Sequence, residues 1–273
     1  MGHGIAQAMA TAGWPTYITD SRPESLPSAL AAIERNLEGA VSRGKLSPDS
    51  RDAALANLHI DRSFLSACRD ANLVVEAVFE DLATKRAVLL QAAEVASPGA
   101  LLATNTSSLS VAAIAEGSPY PDRVIGLHFF NPVHLMKLVE IVTHDGTNEA
   151  ARADALAVVE ALGKEPIVVK DSPGFASSRL GLVLGLEAIR MLEQGVASAT
   201  DIDRAMELGY NHPMGPLRLT DLVGLDVRLR IAEYLHQSLG GAQYEAPALL
   251  RSKVAEGKLG RKTGLGFYEW EKK

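Results

Sequence analysis

Cysteine is nearly missing from this sequence. Its 273 residues include one, Cys68, which rules out an internal disulfide framework and suits a reducing, cytoplasmic setting. No His/Cys cluster surrounds it, so it reads as a small structural side chain. Long apolar runs are missing too. No stretch of about 18 apolar residues offers a membrane span. Nothing resembles a secretory signal, since Met1 is followed by Gly-His-Gly with no basic region or apolar segment. A basic patch is also lacking. The net charge is −6, which speaks against nucleic acid as a partner. There is no internal repeat, no low-complexity tract and no metal-ligand spacing. What is present is a hydrophobic content of 47%, enough for a full core, in a length that suits one large domain or two ordinary ones.

Along the chain, apolar runs and helical spacings alternate. Residues 1–10 start a helix that ends near Gly13, and Pro15 to Asp20 is a short strand closed by an acid. This is the second half of a dinucleotide-binding unit: glycine-rich turn, helix, strand, acid. Asp20 stands where a carboxylate accepts from ribose hydroxyls and repels a 2′-phosphate, while Arg22 could meet such a phosphate. Leu26, Leu30, Ile33, Leu37 and Val41 have helical spacing, Pro48 interrupts it, and a second helix follows from 50 to about 58. Together they form a helical hairpin at about 24–58.

Asn72 to Val78 is a continuous apolar run broken by one acid, as in a buried parallel strand. Glu80 and Lys85 lie beyond its carboxyl end, where ligands of open α/β sheets sit. The strand 101–104 runs into a hydroxyl-rich loop, Asn105-Thr106-Ser107-Ser108-Leu109, in which Ser108 or Ser110 can cap the next helix. After a helix at 147–162 and a strand at 165–170, everything is helical. That places a domain boundary at 172/173, between a doubly wound α/β domain and a helical one. The helical part comprises a long apolar helix from 176 to about 192, a capping-box start at Thr200, one helix from Gly215-Pro216 through about Leu239, and another at 246–256.

The centre of the chain is Gly126-Leu127-His128-Phe129-Phe130-Asn131-Pro132, followed by Lys137-Leu138-Val139-Glu140. Residues 124–130 form a strand that Asn131-Pro132 ends, and 137–142 form a second. If the two pair, 128 and 140 lie equally far from the middle of the loop, near His134. An imidazole then faces a carboxylate, which fixes its tautomer and leaves the other ring nitrogen as the base. The bland alternative is a core histidine beside an incidental glutamate.

The HFFNP and MKLVE wording resembles the 3-hydroxyacyl-CoA dehydrogenase family, especially its short-chain 3-hydroxybutyryl-CoA members. The resemblance covers nearly the whole chain. It implies a Rossmann-type doubly wound sheet followed by a helical domain, with reversible oxidation of an acyl-CoA 3-hydroxyl and NAD taking the hydride. His128 and Glu140 are then the acid/base pair, and Ser107 and Ser178 orient the substrate oxygen. Asn131 seats substrate or nicotinamide. Gly2, Asp20, Glu80, Lys85, Ser107 and Lys262 contact the cofactor, and Asn36 and Arg43 contact CoA. The resemblance also implies a homodimer formed by the helical part.

Two departures stand out. Ser178 occupies the place usually held by asparagine in P-G-F-x-x-N-R. The family's first strand and first two glycines of G-x-G-x-x-G have no counterpart, so Gly2 matches the third glycine. The expectation is a chain started at an internal methionine, with strand 1 missing from the sheet and weakened NAD binding. The rivals are a non-catalytic acyl-CoA or nucleotide-binding relative, and a dehydrogenase of free hydroxy acids.

Overall fold

The computed structural model describes residues 1–271. The chain divides into two compact units, Met1–Ser172 and Pro173 onward.

The first unit begins with α1 (Gly2–Thr11) and β1 (Thr16–Ile18). The hairpin follows as α2 (Leu26–Ser42) and α3 (Pro48–Ala56). Next come β2 (Leu58–Ile60), α4 (Phe64–Cys68), β3 (Leu73–Glu76), α5 (Leu82–Ala93), β4 (Leu101–Thr104) and α6 (Val111–Ala115). The unit ends with β5 (Val124–Phe129), β6 (Leu138–Thr143), α7 (Glu149–Ala161) and β7 (Glu165–Lys170). Neither β2 nor α4 is apparent in the sequence. The strand has three residues between Asn57 and Asp61, too few for a periodic signal.

The strands form two sheets. One is the pair β1-β2, and the other has the order β3-β4-β5-β6-β7, parallel except at β5-β6. Thus β1 and β3 each pair on one side only. The space between them is a cavity of about 1670 Å³ lined by residues 14–23 and 71–79. In a doubly wound order that space belongs to a central strand. Helix α1 bridges it. Ile5 and Met9 join the main core with Leu101, Ile125, Leu127, Val139 and Ile141, while Ala6 packs with Ile33, Leu37 and Ala54 under the hairpin. Gly4 permits this approach, because a Cβ there would stand 3.0 Å from the Val133 side chain.

The second unit contains α8 (Ser177–Glu193), α9 (Ala199–Gly209), α10 (Pro216–Val223), α11 (Leu225–Leu239) and α12 (Ala248–Ala255). Its core includes Leu182, Leu186, Ile189, Leu217, Leu225, Leu235 and Leu250. Two sequence expectations need correction. The helix expected from 216 to 239 is two helices, broken at Gly224, whose φ of +104° only glycine adopts without strain. The cap of α9 is Ser198, which accepts from the Asp201 amide and donates to the Asp201 carboxylate, so the box begins two residues before Thr200. Asp203 receives the Leu217 and Arg218 amides, and Asp221 receives those of Phe267 and Tyr268, which fastens the closing loop to α10. No described helix is long and apolar enough to cross a membrane.

Candidate active site

The antiparallel turn of the chain at β5-β6 creates the site. Its register places His128 directly opposite Glu140. The imidazole Nδ1 lies 2.7 Å from Glu140 Oε2, with the glutamate wholly buried and the histidine 7% exposed. An ionised carboxylate only accepts hydrogen bonds, so Nδ1 carries a proton, and in the neutral imidazole Nε2 then carries the lone pair. The Phe130 ring packs on the imidazole at 4.5 Å between centroids, which limits its rotation. The segment joining the strands begins with the cis peptide Asn131-Pro132 and is tied down by Lys164, whose ammonium donates to the Val133 and Met136 carbonyls. Burial pulls the Lys164 ammonium below the usual lysine range.

Beside this pair lies the loop after β4. Asn105 accepts the Phe129 amide, which ties the loop to the strand bearing His128. Glu80 gathers the next three residues. One of its oxygens, Oε1, accepts from the Thr106 hydroxyl at 2.6 Å, the Ser107 amide at 2.8 Å and the Ser107 hydroxyl at 3.2 Å. The Ser108 amide and hydroxyl complete the cluster. Burial raises the Glu80 carboxyl, but the Thr106 hydroxyl, the Lys85 ammonium and the Ser107 amide outweigh it and hold the group below the usual carboxylate range. The cap of α6 is Ser110, accepting from the Ala113 amide, and Ser107 is left to Glu80.

Lys85 differs from a solvent-facing cofactor ligand. It is 1% exposed, and its ammonium is turned onto both Glu76 oxygens, the Val78 carbonyl and Glu80. Sequence reasoning passed over Glu76, Thr104, Thr106 and Asn105. The available signal for Glu76 was a lone charge closing an apolar strand.

The cofactor-side residues cluster at the cavity. Gly2 is the first residue of α1, a helix start with no side-chain cap and no acid in its first turn. Its positive end is therefore available to an anion such as a diphosphate. Asp20 is exposed at the end of β1, and its Oδ1 accepts the Arg22 amide. Both residues line the cavity. These groups fit the phosphate and ribose of a dinucleotide. Asn36 is half-buried and donates to Gln7 Oε1 at 3.0 Å, whereas Arg43, following α2, is exposed, as is Asn131. Ser178 and Lys262 belong to the second unit. Ser178 is the second residue of α8, and Lys262 is paired with Asp226.

Comparison with known proteins identifies the family. Residues 1–172 match the 3-hydroxyacyl-CoA dehydrogenase NAD binding domain, and residues 174–270 match the 3-hydroxyacyl-CoA dehydrogenase C-terminal domain. A probable 3-hydroxybutyryl-CoA dehydrogenase of Bacillus subtilis is 40% identical over 273 residues, covering 100% of this chain and 95% of the relative. The 3-hydroxybutyryl-CoA dehydrogenase of Clostridioides difficile is 38% identical, with 100% and 96% covered. Among solved structures, that of FadB2 from Mycobacterium tuberculosis superposes with a TM-score of 0.95 at 40% identity, covering 99% of this chain and 95% of that one. The (S)-3-hydroxybutyryl-CoA dehydrogenase PaaH1 of Ralstonia eutropha gives 0.95 at 37% identity, covering 100% and 96%. With both domains matched in order along its length, the chain belongs to the 3-hydroxyacyl-CoA dehydrogenase family, whose first domain binds NAD.

Proposed function

We propose that this chain interconverts a short-chain (S)-3-hydroxyacyl-CoA, of the 3-hydroxybutyryl-CoA class, and the corresponding 3-oxoacyl-CoA. The observation that carries this reading is the buried His128–Glu140 pair, 2.7 Å apart in direct register. Bound NAD⁺ supplies the hydride acceptor. The chain supplies the proton chemistry. His128 Nε2 takes the proton of the 3-hydroxyl as C3 gives up its hydride, and Glu140 stabilises the imidazolium that results. In the reverse direction the protonated histidine polarises the ketone and returns the proton. Ser107 orients the reacting oxygen.

Gly2, Asp20 and Glu80 hold the cofactor, Asp20 through the ribose hydroxyls that make NAD preferred over NADP. Asn131 faces substrate or nicotinamide, and Asn36 and Arg43 take the CoA moiety. Roles for Ser178 with substrate and Lys262 with cofactor rest on resemblance to the family. A retained acid/base pair with Ser107 nearby argues against a non-catalytic binding relative. Oxidation of NADH by acetoacetyl-CoA tests the reading directly. Turnover supports it, and none with the folded, cofactor-loaded protein removes it.

We also assign the protein to the cytoplasm, to fatty-acid β-oxidation chemistry and to a homodimer. The second unit exposes Leu180, Val196, Leu208 and Tyr210 at 59–76%, the kind of apolar surface that a second copy covers. Light scattering at micromolar concentration should give twice the chain mass. A single-chain mass would exclude the dimer.

A further inference from the structure

Strand β3 ends in a charge that no solvent reaches. Glu76 is 3% exposed, and its register partner on β4, Thr104, is 0% exposed. The Thr104 hydroxyl donates to Glu76 Oε2 at 2.7 Å, and the Val78 amide donates to Oε1. The Lys85 ammonium sits 3.0 Å from Oε1 and 3.2 Å from Oε2. From there it reaches outward to Glu80 Oε2 at 3.3 Å. The opposite oxygen of Glu80 is the one that gathers Thr106, Ser107 and Ser108. One continuous chain of charge-assisted contacts therefore runs from the sheet interior to the Ser107 hydroxyl.

A buried ion pair is poor evidence for stability. Two desolvated charges recover little beyond what apolar side chains of the same volume provide. What apolar side chains cannot do is fix where a carboxylate oxygen stands. Lys85 carries one positive charge against two carboxylates. With Glu76 ionised, the ammonium is shared, and Glu80 keeps Oε1 for the loop. Without the Glu76 charge, the whole ammonium falls to Glu80, which is drawn inward and away from the loop.

We propose that Glu76 is a positioning residue for Ser107, acting through Lys85 and Glu80. The proposal rests on the reading above in giving Ser107 a part in the reaction. It assigns a role in turnover to a glutamate whose carboxylate is turned onto the Lys85 ammonium inside the sheet.

A double-mutant cycle tests this, because residues acting through one another do not add. Glu76→Gln should lower kcat by roughly tenfold, the worth of a displaced hydrogen bond to a reacting oxygen, while the KM for NADH moves less. In a Ser107→Ala background the same change should have little further effect. Glu76→Asp should recover part of the loss. Equal factors in both backgrounds, or an unchanged kcat for Glu76→Gln, overturn the relay. Hydrogen exchange gives a second readout that does not depend on activity. The Ser107 and Ser108 amides, held by Glu80, should exchange faster in Glu76→Gln while those of β5 do not, and uniform change across both segments would indicate general loosening and overturn the proposal. If Ser107→Ala alone keeps full activity, the role of the serine is withdrawn, and the exchange measurement still decides whether the relay exists. If Glu76→Gln does not fold, Glu80→Gln enters the same cycle, and additivity with Ser107→Ala there overturns the last link.

Discussion

The two halves of the first unit are built to different standards of closure. At β5-β6, each strand has a neighbour on both sides, and every residue of β5 is buried. At the β1/β3 junction, two strands face each other across an open cavity of about 1670 Å³, each with an unpaired edge. The His128–Glu140 pair proposed for the proton chemistry sits in the closed half. Asp20, proposed to meet the ribose, and the start of α1 sit beside the open one. The difference separates two tasks that a dehydrogenase joins: moving a proton, which needs a rigid pair of side chains, and holding a dinucleotide, which needs a cradle of backbone.

Disabling the closed half should have the largest effect. His128→Gln should lower turnover by about two to four orders of magnitude, the usual contribution of a positioned acid–base group, with NADH affinity nearly unchanged. Steady-state rates and an NADH titration check both halves of that statement. A similar loss of affinity would mean that the two regions are not separate.

Completing the open half should produce the next largest effect. A variant extended ahead of Met1 by about a dozen residues, carrying an apolar strand and a Gly-x-Gly turn, would pair both edges and add amides around the phosphates. NADH should then bind tighter by roughly tenfold or more, as expected of added hydrogen bonds to a charged group, and the protein should melt at a higher temperature. Equal affinity and equal melting of the two forms would show that the gap needs no strand. A smaller change at the same place is Asp20→Ala. It should narrow the preference for NAD over NADP, read as kcat/KM, by roughly tenfold through loss of the carboxylate's bonds to ribose. A clear NADP preference in the parent chain would mean that Arg22 governs the site.

The smallest effect expected lies between the two regions, at Glu80. Its carboxyl is held below the ordinary value of 4.5 in the folded state. The sign follows from linkage: ionised Glu80 contributes stability above that ordinary value, and the contribution is lost as pH falls through the lower folded one. Glu80→Gln should therefore be less stable than the parent near neutrality, with the gap closing toward acid. Parallel denaturation curves at all pH values would contradict this.

Much of the closed half was legible in the sequence because its signals are local. Asn131-Pro132 ends one strand, and residues 128 and 140 are equidistant from His134, so the facing pair follows once the two strands are taken to pair as neighbours. The short strand β2 and the break at Gly224 were not legible. Three residues carry no period, and a glycine within an apolar helical pattern gives no warning of its φ. The network around Glu76 was hidden for another reason. Its members Lys85 and Thr104 lie 9 and 28 residues from Glu76, and meet it only when β3 and β4 pair and α5 packs down. A charge inside an apolar run was visible, but its partners depend on the tertiary fold.

The register of β5 and β6 has a consequence for how this site can vary. Side chains alternate between the two faces of a sheet, so the pairing of strands changes in whole steps. Sliding β6 by one residue against β5 would set Val139 or Ile141 opposite His128 and send the carboxylate to the other face of the sheet. No partial displacement lies between the two arrangements. The length of the connecting segment is a separate variable, because residues can be added near Leu135 and Met136, which are exposed, without altering which residues pair. The connection can therefore drift in length and sequence while the His128–Glu140 pair, fixed by a counting rule, stays in place.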